Sequence, residues 1–253
     1  MDQNLKAAAE TGNVSQLYEL IERDGNVLRR FDEVEFIETP LHVAAEKGCI
    51  VFAMEIMSLK PSFARKLNQR GLSPMHLAIE KGQHEMALRL LQVHKDLVRV
   101  RGKNGETSLH YLCKVENQHH LLDRFMQACP ESIRDATVQN RTALHIAVEN
   151  NRPDVLRVLL RLLGKNDHYQ EEVNRQDEDG NTALHIAARN NQSQSDGSSK
   201  STVGVRFGVA GETIMGRYDY LIFFIPTYCV FIVSMLVVPS SGSILYNAVH
   251  SML

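Results

Sequence analysis

Histidine is the residue whose number and spacing in this sequence first suggest chemistry. The chain of 253 residues contains 11 histidines, and imidazole is a common zinc ligand and acid–base catalyst. Five of them recur every 34 to 40 positions: His42, His76, His110, His145 and His185. Zinc needs ligands that converge to about 2 Å from one ion, whereas residues one structural unit apart lie about 8–10 Å from each other if the units are packed helices. We therefore expect no metal site, no catalytic residue and no cofactor.

Other motifs for chemistry are weak. Gly208 and Gly211 lack the Gly-Lys-Ser sequence that would complete a phosphate-binding loop. The four cysteines show no C-x-x-C spacing, so we interpret them as reduced thiols. The 28 basic and 30 acidic residues nearly cancel, and no basic excess predicts a nucleic-acid partner. We expect a protein that is not an enzyme and that binds neither nucleic acid nor a small-molecule substrate.

The five histidines share a six-residue motif, in which each is the fourth residue. The copies begin at Thr39, Ser73, Thr107, Thr142 and Thr182, and the first reads Thr-Pro-Leu-His-Val-Ala. Threonine or serine can cap a helix N-terminus, and proline fits the first helical position. In the first four copies an apolar stripe with helical spacing follows ten to fifteen or sixteen residues after the histidine. The pattern predicts repeated pairs of helices and an all-α fold.

This motif and its period resemble the ankyrin repeat, which has about 33 residues and the signature T-P-L-H-x-A. The resemblance covers about three quarters of the chain and implies a solenoid that binds another protein on its concave face. We expect about five and a half repeats over residues 1–191. The first is degenerate, because residues 8–12 match residues 44–48 but no T-P-L-H precedes them.

In the ankyrin family the turn before each motif is the tip of a projecting finger. Gly71, Gly105 and Gly180 supply this turn, and Asn140 replaces glycine once. Polar residues at the tips and on the exposed side of the first helices recur in phase, so we expect them to line the concave face. The predicted binding residues are Arg70, Lys103, Asn104 and Glu178 at the tips, and Glu46, Glu80, Glu149 and Arg189 on the first helices. Their mixed charge favours a protein partner.

The last repeat is truncated, because polar residues occupy the stripe positions of its second helix. Residues 192–205 are rich in serine and are interpreted as a flexible linker. An insertion at residues 164–172 explains the longest spacing between motifs and is interpreted as a surface loop. Its acids, and those at 177–179, are expected to be solvated.

Residues 220–238 form an uncharged apolar segment. At 1.5 Å per residue it would extend about 28 Å, the thickness of a hydrocarbon core. We predict one C-terminal transmembrane helix there, preceded by a juxtamembrane segment at 206–219 and followed by a short tail at 239–253. Arg206 and Arg217 precede the segment and no Lys or Arg follows it. The positive-inside rule therefore predicts repeats that face the cytosol, on the plasma membrane or an endomembrane.

Repeats followed by a membrane segment resemble those of plant accelerated-cell-death and BDA-type proteins, which carry a PGG domain that usually has four spans. The sequence of residues 144–151 and the stretch at 210–216 support this resemblance. The chain lacks a Pro-Gly-Gly triplet and shows one predicted span, so we interpret it as a shortened variant.

The sequence thus favours a membrane-tethered adaptor that binds a cytosolic protein, and the plant resemblance implies defence or stress signalling. One alternative is an ankyrin subunit associated with a channel or transporter. Another is a truncated variant without independent activity. An enzyme with an ankyrin targeting module would need a catalytic motif, and the sequence shows none.

Overall fold

The structure is a computed structural model, and it describes residues 1–115, 119–164 and 169–195. Met1–Asn190 form one compact unit, and only the start of the second unit, Asn191–Leu253, belongs to the described residues. The predicted linker lies almost entirely outside them, and the predicted juxtamembrane segment, span and tail lie wholly outside. Within the described part, no helix is both long and apolar enough to cross a membrane.

Helices arranged in pairs make up the described chain, which confirms the all-α prediction for these residues. They contain two isolated bridges and no longer strand. The helices are α1 (Gln3–Thr11), α2 (Val14–Arg23), α3 (Pro40–Lys47), α4 (Ile50–Leu59), α5 (Pro74–Glu80), α6 (His84–Val93), α7 (Ser108–Lys114), α8 (His119–Ala128), α9 (Ala143–Glu149), α10 (Pro153–Leu163), α11 (Tyr169–Val173) and α12 (Ala183–Ser195).

The pairs stack into two layers. Helices α1, α3, α5, α7 and α9 contact one another in that order, and α2, α4, α6, α8 and α10 form the second layer. The predicted stripe of the second helices faces the core, and all its members are buried: Phe52, Ile56, Met57, Met86, Leu90, Leu91, Leu121, Phe125, Met126, Val155, Leu159 and Leu160. Burial of this apolar surface, roughly 25 cal/mol per Å², drives the stacking.

Each motif begins a first helix as predicted. Pro40 and Pro74 occupy the first helical position of α3 and α5, where the missing N–H would have no helical partner. Thr39 and Ser73 hold extended backbone before them, and Ser73 Oγ accepts the N–H of His76 at 3.4 Å. The cap satisfies one of the orphan donors at the helix N-terminus.

Short 3-10 turns follow the second helices and were not predicted from the sequence. They lie at Pro61–Arg65, Lys95–Arg99 and Pro130–Arg134. Each inserts apolar side chains into the core, and Phe63 and Leu97 are almost fully buried. The signal in the sequence is the recurrence of an apolar residue at this place in each repeat.

The expectation that the insertion at 164–172 is only a surface loop is wrong for its last residues. These begin α11, and Glu172 is buried. Its carboxylate lies 3.6 Å from Nε of Arg134 and 3.8 Å from Nη1 of Arg175. Two guanidinium groups offset the cost of removing this charge from water.

Asp177 is also buried, although we expected it to be solvated. Its Oδ1 accepts the backbone N–H groups of Asp179 at 3.1 Å and Asn181 at 2.8 Å. Aspartate commonly stabilises a tight turn through such bonds. The neighbouring Glu178 and Asp179 are exposed, as expected.

The burial of side chains in the stack predicts how two substitutions change the free energy of unfolding. Leu144 in α9 is 3% exposed, whereas Val51 in α4 is 73% exposed. We expect Leu144→Ala to lower the free energy of unfolding by about 2–5 kcal/mol, because it leaves a cavity. Val51→Ala should change it by less than about 0.5 kcal/mol. Urea unfolding of the purified chain measures both, and equal effects would contradict this packing.

Candidate interaction surface

Four fingers project between the helix pairs, at residues 66–72, 100–106, 135–141 and 175–181. Each closes with a backbone hydrogen bond, from Asn68 to Leu72 in the first of them and from equivalent residues in the others. Residues with positive φ make the turns, including Gly71 (73°), Asn140 (55°) and Gly180 (77°). The predicted role of glycine, and of asparagine at 140, is confirmed.

Backbone hydrogen bonds also join each finger to the next. The N–H of Lys103 donates to the carbonyl of Gly71 at 2.8 Å, and the N–H of Val138 donates to Asn104 at 2.8 Å. The N–H of Glu178 donates to Gln139 at 3.1 Å. The tips therefore form one continuous row, which is held by the main chain and leaves the tip side chains available.

The motif histidines connect the helices to this row. In His42, Nδ1 accepts the backbone N–H of Thr39 at 3.1 Å, and Nε2 lies 3.0 Å from the carbonyl of Leu72 at the base of the next finger. A neutral imidazole that accepts at Nδ1 carries its proton at Nε2, so Nε2 donates to that carbonyl. His145 makes the same contact with the carbonyl of Asn181 at 3.1 Å.

In two further copies of the motif, the histidine differs in the environment of its Nε2 atom. Nε2 of His76 and of His110 has no hydrogen-bond partner in the described residues, yet the equivalent carbonyls of Glu106 and Arg141 interact with these rings and favour their protonation. His185 is exposed, and within the part of the chain that the structure describes it hydrogen-bonds to Thr182.

Burial keeps His42, His76, His110 and His145 neutral. Desolvation lowers the pKa of His42 and of His110 to about 4 and that of His76 to about 3, against weaker opposing contributions from carbonyls and nearby carboxylates. The pKa of His145 is also lowered, mainly by burial. Each ring is therefore fixed as a neutral hydrogen-bonding group at physiological pH.

Four of the predicted binding residues form ion pairs within the stack. Arg70 makes two hydrogen bonds to Glu80, at 2.6 and 3.1 Å. Glu46 lies 3.5 Å from Lys81, and Glu149 lies 3.0 Å from Arg141. The charges of Glu80 and Glu46 both raise the pKa of Arg70, so the structure brings these three residues together.

The remaining predicted residues are exposed. Lys103 and Asn104 lie on one tip, directly beside Gly71, and Glu178 lies on the tip of the last finger. In the described part of the chain, no ion pair involves the side chain of Lys103 or Glu178. Arg189 lies on α12.

Sequence reasoning missed Tyr111, which follows the motif histidine of α7. Its ring centroid lies 4.7 Å from that of His76, and Nζ of Lys114 lies 5.4 Å above it. Burial is the main cause that raises its pKa to about 12. Aliphatic residues such as Val43 and Leu77 occupy the equivalent place in other copies, and this difference was the available signal.

Val138 was also missed. It is 69% exposed at the tip of the third of these fingers, where Gln69, Lys103 and Glu178 occupy the equivalent positions. An apolar residue among polar ones at a recurring tip position could have identified it.

Comparison with known families assigns the repeats. A family model of three ankyrin repeats matches residues 5–100 and 94–169, and a model of many ankyrin repeats matches residues 144–195. The chain belongs to the ankyrin-repeat family.

One curated relative is the ankyrin repeat-containing protein BDA1 of Arabidopsis thaliana. It is 47% identical over 73 residues, which represent 29% of this chain and only 17% of the length of that protein.

A solved structure with the same fold is a chain from the complex of the Bd0816 predatory endopeptidase with immunity protein Bd3460, from Bdellovibrio bacteriovorus. It aligns with a TM-score of 0.57 at 21% identity and covers 76% of this chain and 94% of that chain. This likeness concerns the ankyrin fold alone.

The neutral histidines predict a pH dependence of ankyrin-stack stability. Because their folded pKa lies below the unfolded value near 6.5, the unfolded chain binds more protons as the pH falls. Stability is fully present above about pH 6.5 and is lost towards pH 4. Between pH 7 and pH 5 we expect a loss of about 1–2 kcal/mol for each of His42, His76 and His110. Urea unfolding across this pH range measures the loss.

Two variants serve as test and control. His76→Gln should lower stability at pH 7 and reduce the slope against pH, since one titrating group is removed. His185→Gln, at an exposed site, should leave the slope unchanged. If the free energy of unfolding has the same slope against pH in the wild type and in both variants, His76 is not a source of the pH dependence.

Proposed function

We propose that this chain is a membrane-tethered ankyrin adaptor whose concave face, formed by the finger tips and first helices, binds a cytosolic protein. The observation that carries the proposal is the row of tips joined by backbone hydrogen bonds, from which Lys103 and Glu178 project without an ion pair among the described residues. Such a rigid surface costs little ordering entropy when a partner binds.

Charge supports a protein as the partner. The Arg70–Glu80 pair, the Glu46–Lys81 pair and the Glu149–Arg141 pair are each neutral as a unit. A nucleic acid would require a positive surface, whereas alternating pairs and two available charges of opposite sign match a surface of mixed charge.

Tyr111 and Val138 add apolar area to this surface. Tyrosine supplies rigid contact area at low entropic cost and is enriched among residues that dominate binding energy. The contacts with His76 and Lys114 fix the Tyr111 ring before a partner arrives.

The tether and the pathway have separate support. The uncharged segment at 220–238 and the two arginines before it support a single span with cytosolic repeats. The identity with BDA1 over 73 residues supports a plant protein in defence or stress signalling. The neutral, hydrogen-bonded state of the motif histidines is consistent with an adaptor that has no catalytic activity of its own.

Charge reversal at the tips tests the concave face. Arg70→Glu combined with Lys103→Glu should weaken partner binding at least a few-fold, mainly through the association rate. Because Arg70 bonds to Glu80, Lys103→Glu alone is the cleaner single change. Proximity labelling or a pull-down identifies the partner, and surface plasmon resonance measures the rates.

The matched control is Arg157→Glu, at an exposed position of the second helix α10. It should leave the affinity unchanged. If Arg157→Glu abolishes binding while the tip variants bind normally, the partner uses the other face.

Membrane fractionation tests the tether. The full chain should resist alkaline carbonate extraction, and Val230→Arg should release it, because arginine at the centre of a span costs about 2.5–3.5 kcal/mol. Val51→Arg, at an exposed position of α4, is the control that should remain in the membrane fraction. Retention of both variants would exclude 220–238 as the anchor.

A further inference from the structure

The connection between α2 and α3 differs from the four fingers. Residues 32–38 contain no glycine or asparagine, and no residue there has positive φ. A tight hairpin turn requires such a residue, and this connection forms no hairpin. One edge of it pairs with the first finger at a parallel bridge between Phe36 and Leu67, where the N–H of Ile37 donates to the carbonyl of Leu67 at 3.0 Å. Nζ of Lys66 also donates to the carbonyl of Asp32 at 3.4 Å.

The backbone of this connection is consequently open. Each finger pairs part of its backbone by closing on itself, as Asn68 and Leu72 do, and part with the next finger, as Gly71 does with Lys103. Within the described residues, the N–H groups of residues 33–36 have no hydrogen-bond partner in the protein. Exposed groups of this kind offer pairing sites to another extended chain.

The side chains add an apolar pair to the open backbone. Val34 is 44% exposed and Phe36 is 47% exposed. Glu33 and Glu35 are exposed beside them, and neither forms an ion pair within the part of the chain that the structure describes. Asp32 differs, since Nζ of Lys60 lies 2.5 Å from its carboxylate.

We propose that residues 32–38, here termed the acidic strip, bind an extended segment of a partner protein in which lysine or arginine alternates with apolar residues. The apolar side chains of the segment cover Val34 and Phe36, and its cations face Glu33 and Glu35. Its backbone pairs with those open N–H groups that point away from the bridge to Leu67, because N–H groups alternate in direction along an extended chain. This site goes beyond the concave face and uses different residues.

Charge and backbone geometry separate this occupant from others. A second copy of the strip would place Glu33 and Glu35 opposite like charges, which is destabilising. A phosphate-bearing ligand would meet the same repulsion. A helical partner has already used its backbone groups, so it could not satisfy those of the strip.

A fluorescently labelled short peptide of alternating lysine and valine, capped at both ends, is the probe. Anisotropy titration against the purified full chain measures its affinity. The comparison peptides have the same composition arranged in two blocks, or glutamate in place of lysine. Hydrogen exchange reports which backbone amides become protected.

Matched variants test the charges and the apolar pair. Glu33→Gln with Glu35→Gln should weaken binding by about two- to thirty-fold, because two lost pairs of about 0.2–1 kcal/mol each correspond to this change in affinity. Glu19→Gln with Glu22→Gln, on exposed positions of α2, should not. Val34→Asn should weaken binding, whereas Val93→Asn, at a residue 47% exposed in α6, should leave it unchanged.

The expected result is selective binding of the alternating peptide, with protection of the amides within residues 33–36 that point away from Leu67. Equal binding of the block peptide, equal effects of the two glutamate variants, or binding without amide protection would each overturn the proposal. Lys103→Glu should leave this affinity unaltered, which keeps the outcome independent of the concave-face test.

Discussion

A buried, neutral histidine at the start of α3, α5, α7 and α9 is the feature on which the finger row most depends. One imidazole has one acceptor and one donor, and in His42 these satisfy the N–H of Thr39 and the carbonyl of Leu72. The N–H of Thr39 is a buried backbone donor that would otherwise cost about 1–3 kcal/mol without a partner, and the carbonyl of Leu72 also accepts the N–H of Asn68. A protonated ring could not accept at Nδ1, so burial and hydrogen bonding require the same protonation state.

The hydrogen bonds of the motif histidines connect the helical core to the surface fingers. The apolar stripes set the spacing of the helix pairs. His42 and His145 then hydrogen-bond the bases of the first and the last finger to the preceding helix. Backbone hydrogen bonds, such as that from the N–H of Val138 to the carbonyl of Asn104, then join neighbouring tips. Main-chain hydrogen bonds between the fingers, rather than contacts between tip side chains, therefore position the exposed charges at the tips.

The sequence predicts whatever depends on residue type and period alone. The buried stripe of Phe52, the cap at Ser73 and the left-handed turn at Asn140 are all of this kind, because each needs only its own residue at its own place. The burial of Glu172 could not be predicted, since its partner Arg134 belongs to the preceding repeat and the insertion has no counterpart in the period. The pairing of Arg70 with Glu80 likewise depends on the finger folding back over its own helix.

The backbone conformation of the connection at residues 32–38 also depends on residue type. The fingers close because glycine or asparagine accepts positive φ, and closure consumes the backbone groups of the turn. Where the sequence offers neither residue, the chain stays open. Its backbone pairs with the neighbouring finger at a parallel bridge between Phe36 and Leu67, through the N–H of Ile37. The nearby Phe31 and Phe63 rings still pack edge to face at 5.5 Å, so the core beneath the connection is intact. The open backbone is therefore a local property of this stretch and does not signal a loosened repeat.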